Sequence, residues 1–370
     1  MPARIKAFIK KEAVLCIAAV CAVATMLAVP PDKEYLTYID FRVLCLLMCL
    51  MAVVAGFKSV GVFRMLTCQL LSRIKSGRLL SITLVMLPFF ISMLVTNDVA
   101  LIVFIPFTLG LLSDLGCKKE TVPIIVLQTV AANLGSMATP VGNPQNLFLY
   151  SAYNLSAVEF FSCVLPLTAI SFIILAAAAM PVLPKSLPEQ SLKKETVNNP
   201  KNLIIYAVLF ILCLLTVFRV IPYAITTVIV VIVFILADRR ILKEIDFMLL
   251  MTFVCFFIVS ENLGRVEAIR DFLQMLLQKN ALLTVVGASQ VISNVPAAIL
   301  LSTFTDNWKE LLAGVNIGGL GTPIASLASL ITLKIYMQSK NSKLLKFLGV
   351  FTAVNIAGLL ILLSAEFLIK

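Results

Sequence analysis

Long uninterrupted apolar blocks, such as residues 13–29, 203–218 and 347–369, constrain this chain more than any other feature. At 1.5 Å of helical rise per residue, such blocks have the reach needed for a hydrocarbon core of about 30 Å. Composition agrees: of 370 residues, 61% are hydrophobic and 13% charged, and the mean hydropathy is +1.04. A soluble domain carries roughly 45–50% apolar and about 25% charged residues. The expected fold class is an all-α polytopic membrane protein.

What the chain lacks narrows its chemistry. It contains no histidine, which removes His-ligated zinc, Ser/His/Asp hydrolysis and haem attachment together. Nine cysteines, at positions 16, 21, 45, 49, 68, 117, 163, 213 and 255, form no C-x-x-C pair. Most sit inside apolar blocks, as small buried hydrophobes do. The net charge of +11 falls between the blocks, a placement that sets topology against anionic lipid rather than tracking nucleic acid. An intramembrane protease needs paired aspartates, a zinc motif or an activated serine, and only one Asp here is centred in an apolar stretch. Neither an enzyme nor a cofactor is expected.

Full spans are predicted at 13–30, 41–57, 121–150, 159–183, 203–218, 222–237, 246–262, 311–333 and 347–369. The cations Arg4, Lys6, Lys10 and Lys11 before the first apolar run mimic a signal peptide. That run exceeds a typical h-region and lacks a clear cleavage site, so it reads as an uncleaved first span. Two further stretches, 79–114 and 281–304, are each interrupted by a polar tripeptide. The arms of the second, 281–292 and 295–304, would rise only about 15–18 Å each, which predicts a re-entrant hairpin. The longest polar segment, 184–202, is the expected linker between halves.

With the N-terminus in the cytoplasm and each interrupted stretch returning to its own side, 22 Lys and Arg fall inside and 8 outside. The inside set includes Lys58, Arg73, Lys75, Arg78, Lys118, Lys119, Lys185, Lys193, Lys194, Arg239, Arg240, Lys243 and Lys340. This bias predicts a cytoplasmic N-terminus and an external C-terminus in the cell (inner) membrane.

Two segments recur across the halves. Residues 94–102 (LVTNDVALI) align with 291–299 (VISNVPAAI), and 133–140 (NLGSMATP) with 316–323 (NIGGLGTP). Linkers 60–73 and 265–278 are both amphipathic at helical spacing, as helices lying in the interface would be. The order span, span, linker, interrupted hairpin, glycine-broken span, span runs through 13–183 and again through 222–369. Residues 184–221 add one connecting span, so the units 1–183 and 222–370 start from opposite sides. The prediction is an inverted-topology repeat with two re-entrant hairpins and two broken transmembrane helices, an arrangement found in many secondary transporters.

A broken helix frees backbone groups that must find partners, so breaks persist where they line a polar cavity. At each hairpin tip the first arm ends in carbonyls suited to a cation, and the second begins in N–H groups suited to an anion. Thr139-Pro140 and Thr322-Pro323 are expected to restart helices as N-cap and first-turn proline, and Asn294 before Pro296 to do so at the second tip. Asn97, Asn294, Thr139 and Thr322 serve either as ligands or only as caps. Gly135, Gly318, Gly319 and Gly321 serve either a cation site or close helix packing. Asn143, Gln145 and Asn146 face either the cavity or a neighbouring helix.

Asp98 is the one carboxylate centred in an apolar stretch, where an ionised group costs at least about 2.5–3.5 kcal/mol. It is expected to couple protons or bind a cation. Glu261 and Glu366 lie near span ends and are expected at the interface.

At these residues the chain resembles the ion transporter superfamily with the citrate-transporter-type domain, which includes divalent-anion:sodium symporters and arsenite permeases. The resemblance covers nearly the whole chain. It implies a scaffold and a mobile transport domain, often in a homodimer, working by an elevator-like motion. In the dicarboxylate symporters each tip is Ser-Asn-Thr, whose Asn and Thr contact substrate carboxylates, with sodium between tip and broken helix. By position the tips here are Thr96-Asn97-Asp98 and Ser293-Asn294-Val295, so both asparagines are kept and both threonines lost. The frames at Gly135 and Gly318 match the cation-site glycines, while residues 322–328 and the Asn-Asp tip are closer to the arsenite-permease pattern.

Residues and resemblance together give a substrate set of Asn97, Asp98, Thr139, Pro140, Asn143, Ser293, Asn294, Thr322 and Pro323. The coupling-ion set is Thr96, Asn97, Asp98, Asn133, Gly135, Asn294, Asn316, Gly318 and Gly321, with sodium as the only metal considered. The expected function is secondary active transport of a small anionic solute, a carboxylate or inorganic oxyanion, coupled to sodium or protons. The alternative is proton-coupled efflux of a metalloid oxyanion such as arsenite, or of a cation. A channel is the remaining possibility, against which an inverted repeat of half-helices argues for alternating access.

Overall fold

The computed structural model describes residues 8–9, 12–72, 74, 76–185, 195–339 and 342–369. Arg4, Lys6, Lys10, Lys11, Arg73, Lys75, Lys193, Lys194 and Lys340 lie outside the described residues, as does most of the predicted linker. Among those described, sixteen α-helices and two short 3-10 turns account for the regular structure, with no strand.

The first series opens with α1 (Ala13–Ala28), α2 (Phe41–Ser59) and the short amphipathic α3 (Val62–Leu71). Helices α4 (Gly77–Ile91) and α5 (Asn97–Asp114) form the first helix–break–helix pair. The first broken span consists of α6 (Thr121–Ser136) and α7 (Pro144–Ala152), and α8 (Ala157–Ala179) follows. Between the series stands α9 (Pro200–Val217). The second series is α10 (Tyr223–Ala237), α11 (Phe247–Gly264), α12 (Glu267–Ile292), α13 (Asn294–Ser302), α14 (Trp308–Ile317), α15 (Leu327–Met337) and α16 (Leu344–Ile369).

The order of parts recurs with one difference. In the second series the amphipathic linker and the first hairpin arm are one element, α12, bent at Asn280, where φ −165° and ψ 96° leave the helical region. The Asn280 side chain starts the arm afresh by accepting the Leu283 amide at 2.8 Å.

Among the described residues, six helices are long and apolar enough to cross a membrane, and α5 is one of them. Its 18 residues rise about 27 Å, so the short-arm argument applies only to the second hairpin, where the nine residues of α13 rise about 13 Å. Leu27, Leu345 and Leu368 are each at least 85% exposed on the outside of the helix pack. Apolar side chains presented this fully on spanning helices face lipid. The chain is a multi-pass membrane protein.

Packing between the two series is reciprocal. α1 packs on α11 and α10 on α2; α4 on α6 and α12 on α14; α5 on α15 and α13 on α7. Likewise α6 packs on α16 and α14 on α8. The correspondence reaches individual bonds at Ile39-Asp40-Phe41 and Ile245-Asp246-Phe247. Asp40 caps α2 by accepting the Val43 amide at 3.0 Å, and Asp246 caps α11 by accepting the Leu249 amide at 2.9 Å. Some contacts have no counterpart of similar extent: α11 packs on α13, α4 on α8 and α2 on α7.

Candidate functional site

The helix restarts are not where the Thr-Pro pairs suggest. α7 begins at Pro144 under an Asn143 cap, whose side chain accepts the Asn146 amide at 2.9 Å, and α15 begins at Leu327 after Ser326. Thr139, Pro140, Thr322 and Pro323 lie inside the breaks instead. Their threonine hydroxyls are engaged elsewhere: Thr139 Oγ1 donates to the Met93 carbonyl at 2.5 Å, and Thr322 Oγ1 to the Gln290 carbonyl at 3.1 Å. These bonds satisfy carbonyls near the end of each first hairpin arm, which a terminating helix leaves without partners. At the tips Thr96 and Ser293 hold the N-cap position, and Asn97 and Asn294 are first helical residues. Ser293 sits at φ +73°, a region that disfavours side chains.

Main chain ties each tip to its break. The Asn97 amide donates to the Gly142 carbonyl at 3.2 Å, and the Asn294 amide to the Ala325 carbonyl at 3.0 Å. Side chains then join the two series. Asn133 Oδ1 accepts from Asn97 Nδ2 at 2.9 Å and from Ser326 Oγ at 3.1 Å. Asn316 Oδ1 accepts from Asn143 Nδ2 at 3.2 Å, and Asn316 Nδ2 donates to Asn146 Oδ1 at 2.7 Å. Both tips and both breaks therefore meet in one buried polar region containing Asn97, Asn133, Asn143, Ser293, Asn294 and Asn316. Asn143 Nδ2 donates to Ser136 and Asn316 on neighbouring helices, whereas Asn146 Nδ2 donates to the Met137 and Thr139 carbonyls of the break. Thr322 lies apart from the others on an exposed edge.

Two glycines serve close packing. A Cβ at Gly135 would stand 2.0 Å from the Phe89 carbonyl oxygen, and one at Gly318 would stand 2.7 Å from Ser289 Oγ. Gln290 is a residue that the sequence patterns did not single out. Its Nε2 donates to the carbonyls of Gly318 and Leu320 at 2.9 Å each, and its Oε1 accepts the Thr322 amide at 2.9 Å. Only its chemistry marks it in the sequence, as the one carboxamide in the arm 281–292.

Asp98 stands at the start of α5 with Oδ1 buried and without a hydrogen-bond partner. It borders, with Thr96 and Ile102, a cavity of about 680 Å³ that lies between α2, α5 and the start of α11. Met51, Asp246 and Ile331 border the same space, and Lys58, Asp238, Arg240 and Glu244 stand around it. A second cavity of about 230 Å³ is bordered by Asp40, Phe148, Phe257, Ser260, Glu261 and Ile299. Glu366, three residues before the end of α16, is buried at 8% exposure.

The two cavities are equivalent places in the two series. In the register that sets Asn97 on Asn294, Asn133 on Asn316 and Asp40 on Asp246, Ile102 falls on Ile299, Met51 on Phe257 and Ile331 on Phe148. Yet Ile102 is 40% exposed and Ile299 only 1%. On the small side, Ser260 Oγ lies 3.0 Å from the Ile299 carbonyl and 2.7 Å from Thr303 Oγ1. Ser151 Oγ adds a bond to Asp40 Oδ2 at 3.3 Å.

A family model described as citrate transporter matches residues 5–307. The chain belongs to the citrate transporter family. An uncharacterised transporter of Methanocaldococcus jannaschii is 35% identical over 294 residues, 79% of this chain and 80% of the relative. An inner membrane protein of Escherichia coli is 30% identical over 306 residues, 82% of each. A silicon efflux transporter of Oryza sativa is 34% identical over 135 residues, 36% of this chain and 27% of that one. As a citrate transporter family member, the protein is a membrane transporter, and the polar region between its broken helices is the candidate transport site.

Proposed function

We propose that this transporter is a secondary active one that exposes a single site alternately through its two cavities, and that the present conformation faces the cytoplasm. The observation that carries this is the unequal pair of equivalent cavities, about 680 and 230 Å³, with Ile102 open and Ile299 sealed. Reciprocal helix packing supports reading the two series as inverted repeats. The Lys/Arg bias puts the end of α2 and the start of α11 inside, which is the side of the larger cavity. Asn97, Asn294, Ser293 and Asp98 are the proposed solute and coupling-ion contacts. An unpartnered buried oxygen on Asp98 fits a group that takes up and releases a proton or cation during the cycle.

The lining bears on the solute. Asp98, Asp238, Glu244 and Asp246 border the large cavity against Lys58 and Arg240. An excess of carboxylates opposes a dianion and accepts a cation or an uncharged hydroxylated solute. This supports the efflux reading over anion uptake, as does the efflux named for the Oryza sativa relative. A thermal-shift panel of purified protein tests it, because a ligand of the folded state raises apparent stability. Silicic or arsenous acid should raise the melting temperature. Stabilisation by citrate that requires sodium would instead establish the anion symporter.

A further inference from the structure

The repeat register also identifies side chains that meet only in the opposite conformation, an inference that rests on the alternating-access reading above. On the shut side, Asp40, the cap of α2, accepts the Ser151 hydroxyl from the end of α7. The equivalent positions on the open side are Asp246, the cap of α11, and Lys334, in the last turn of α15. Each assignment has its own anchor. The Ile-Asp-Phe triplets and their matched capping bonds fix Asp246 on Asp40. The frame that begins at Asn133 and Asn316 runs on without a gap to Tyr153 and Tyr336, and it sets Lys334 on Ser151.

Asp246 borders the large cavity, and so does Ile331, one turn before Lys334. Lys334 is exposed, and the ion pairs of the described residues do not include it or Asp246. We propose that closure of the large cavity brings the Lys334 ammonium onto the Asp246 carboxylate, forming an ion pair that exists only in the outward-facing state. Ile102 is then covered as Ile299 is now. The duplicated latch carries a hydroxyl on one side and an ammonium on the other, so the two states are held by unequal bonds. Closing the mouth lowers the local dielectric and strengthens the charged latch relative to the neutral one. Lys58 and Arg240 stand near the same mouth but at other positions in the register: Lys58 falls on Gly264.

Cysteine pairs in the full-length protein in lipid vesicles test the proposal, with cross-links located by peptide mapping so that the native cysteines remain. Under copper phenanthroline, the Asp246→Cys/Lys334→Cys pair should form a disulfide. Forming it should expose a buried Ile299→Cys side chain to a membrane-impermeant maleimide. Either charge reversal alone, Asp246→Lys or Lys334→Asp, should lower that labelling about two- to fivefold, and the double exchange should restore it. If Ile299→Cys is labelled but the 246–334 cross-link never forms, the ion pair is overturned and alternating access survives. If neither occurs, both fall together.

Discussion

Ile102 and Ile299 occupy one position in two copies of a module, and they differ in exposure from 40% to 1%. Sequence similarity cannot produce that difference, because the residue is the same. It comes from what packs around each copy: Ile102 borders the cavity of about 680 Å³ and Ile299 that of about 230 Å³.

Asn133 is the point where the first tip and the second break share an acceptor. Asn133→Leu leaves the donors of Asn97 and Ser326 without it, at about 1–3 kcal/mol each. The apparent melting temperature should fall by several degrees. Asn133→Asp keeps an acceptor and should fall less, which differential scanning fluorimetry checks.

Gly135 and Gly110 make a matched pair of substitutions. Gly135→Ala places a methyl 2.0 Å from a main-chain oxygen that cannot yield, so folded protein should be lost on size-exclusion chromatography. Gly110→Ala meets nothing within 4 Å on α5 and should stabilise the helix by about 0.5–1 kcal/mol.

Asp98→Asn removes a carboxylate from an apolar stretch while keeping its size. Stability should hold or rise, since an ionised group there costs about 2.5–3.5 kcal/mol. Transport in vesicles should drop and lose its dependence on pH. Unchanged transport with unchanged pH dependence would remove Asp98 from the coupling role.

Outside the spans, Arg265 donates to Asp32 at 2.8 Å and holds its carboxyl below the usual carboxylate range. A carboxyl lowered on folding contributes stability above its unfolded value and loses it as pH falls through the folded value. Arg265→Ala should therefore lower the melting temperature slightly at pH 7, with the difference from wild type shrinking in strong acid to what the Arg265 bond to the Tyr38 hydroxyl leaves. Both groups are well exposed, so the effect stays small.

Helices and breaks were legible because lipid forces apolar continuity, and polar tripeptides at the tips and glycine-proline frames at the broken spans interrupt it. The caps were not. Thr139-Pro140 has the local chemistry of a helix start, but its hydroxyl is claimed by Met93, a carbonyl brought near by tertiary packing. Asn143-Pro144, four residues on, has the same chemistry and forms the cap. Gln290 escaped notice because one carboxamide makes no pattern until the break it grips is in place. The Ile-Asp-Phe triplets are too short to stand out without their matched bonds. Unequal cavities lie beyond the sequence pattern, since the equivalent positions Ile102 and Ile299 carry the same residue.

The amide-to-carbonyl ties at Asn97 and Asn294 ask nothing of any side chain. The next residue is Asp98 in one copy and Val295 in the other, and the same tie forms in both. Side-chain chemistry can thus be exchanged at either fingertip while the main-chain tie behind it stays as it is.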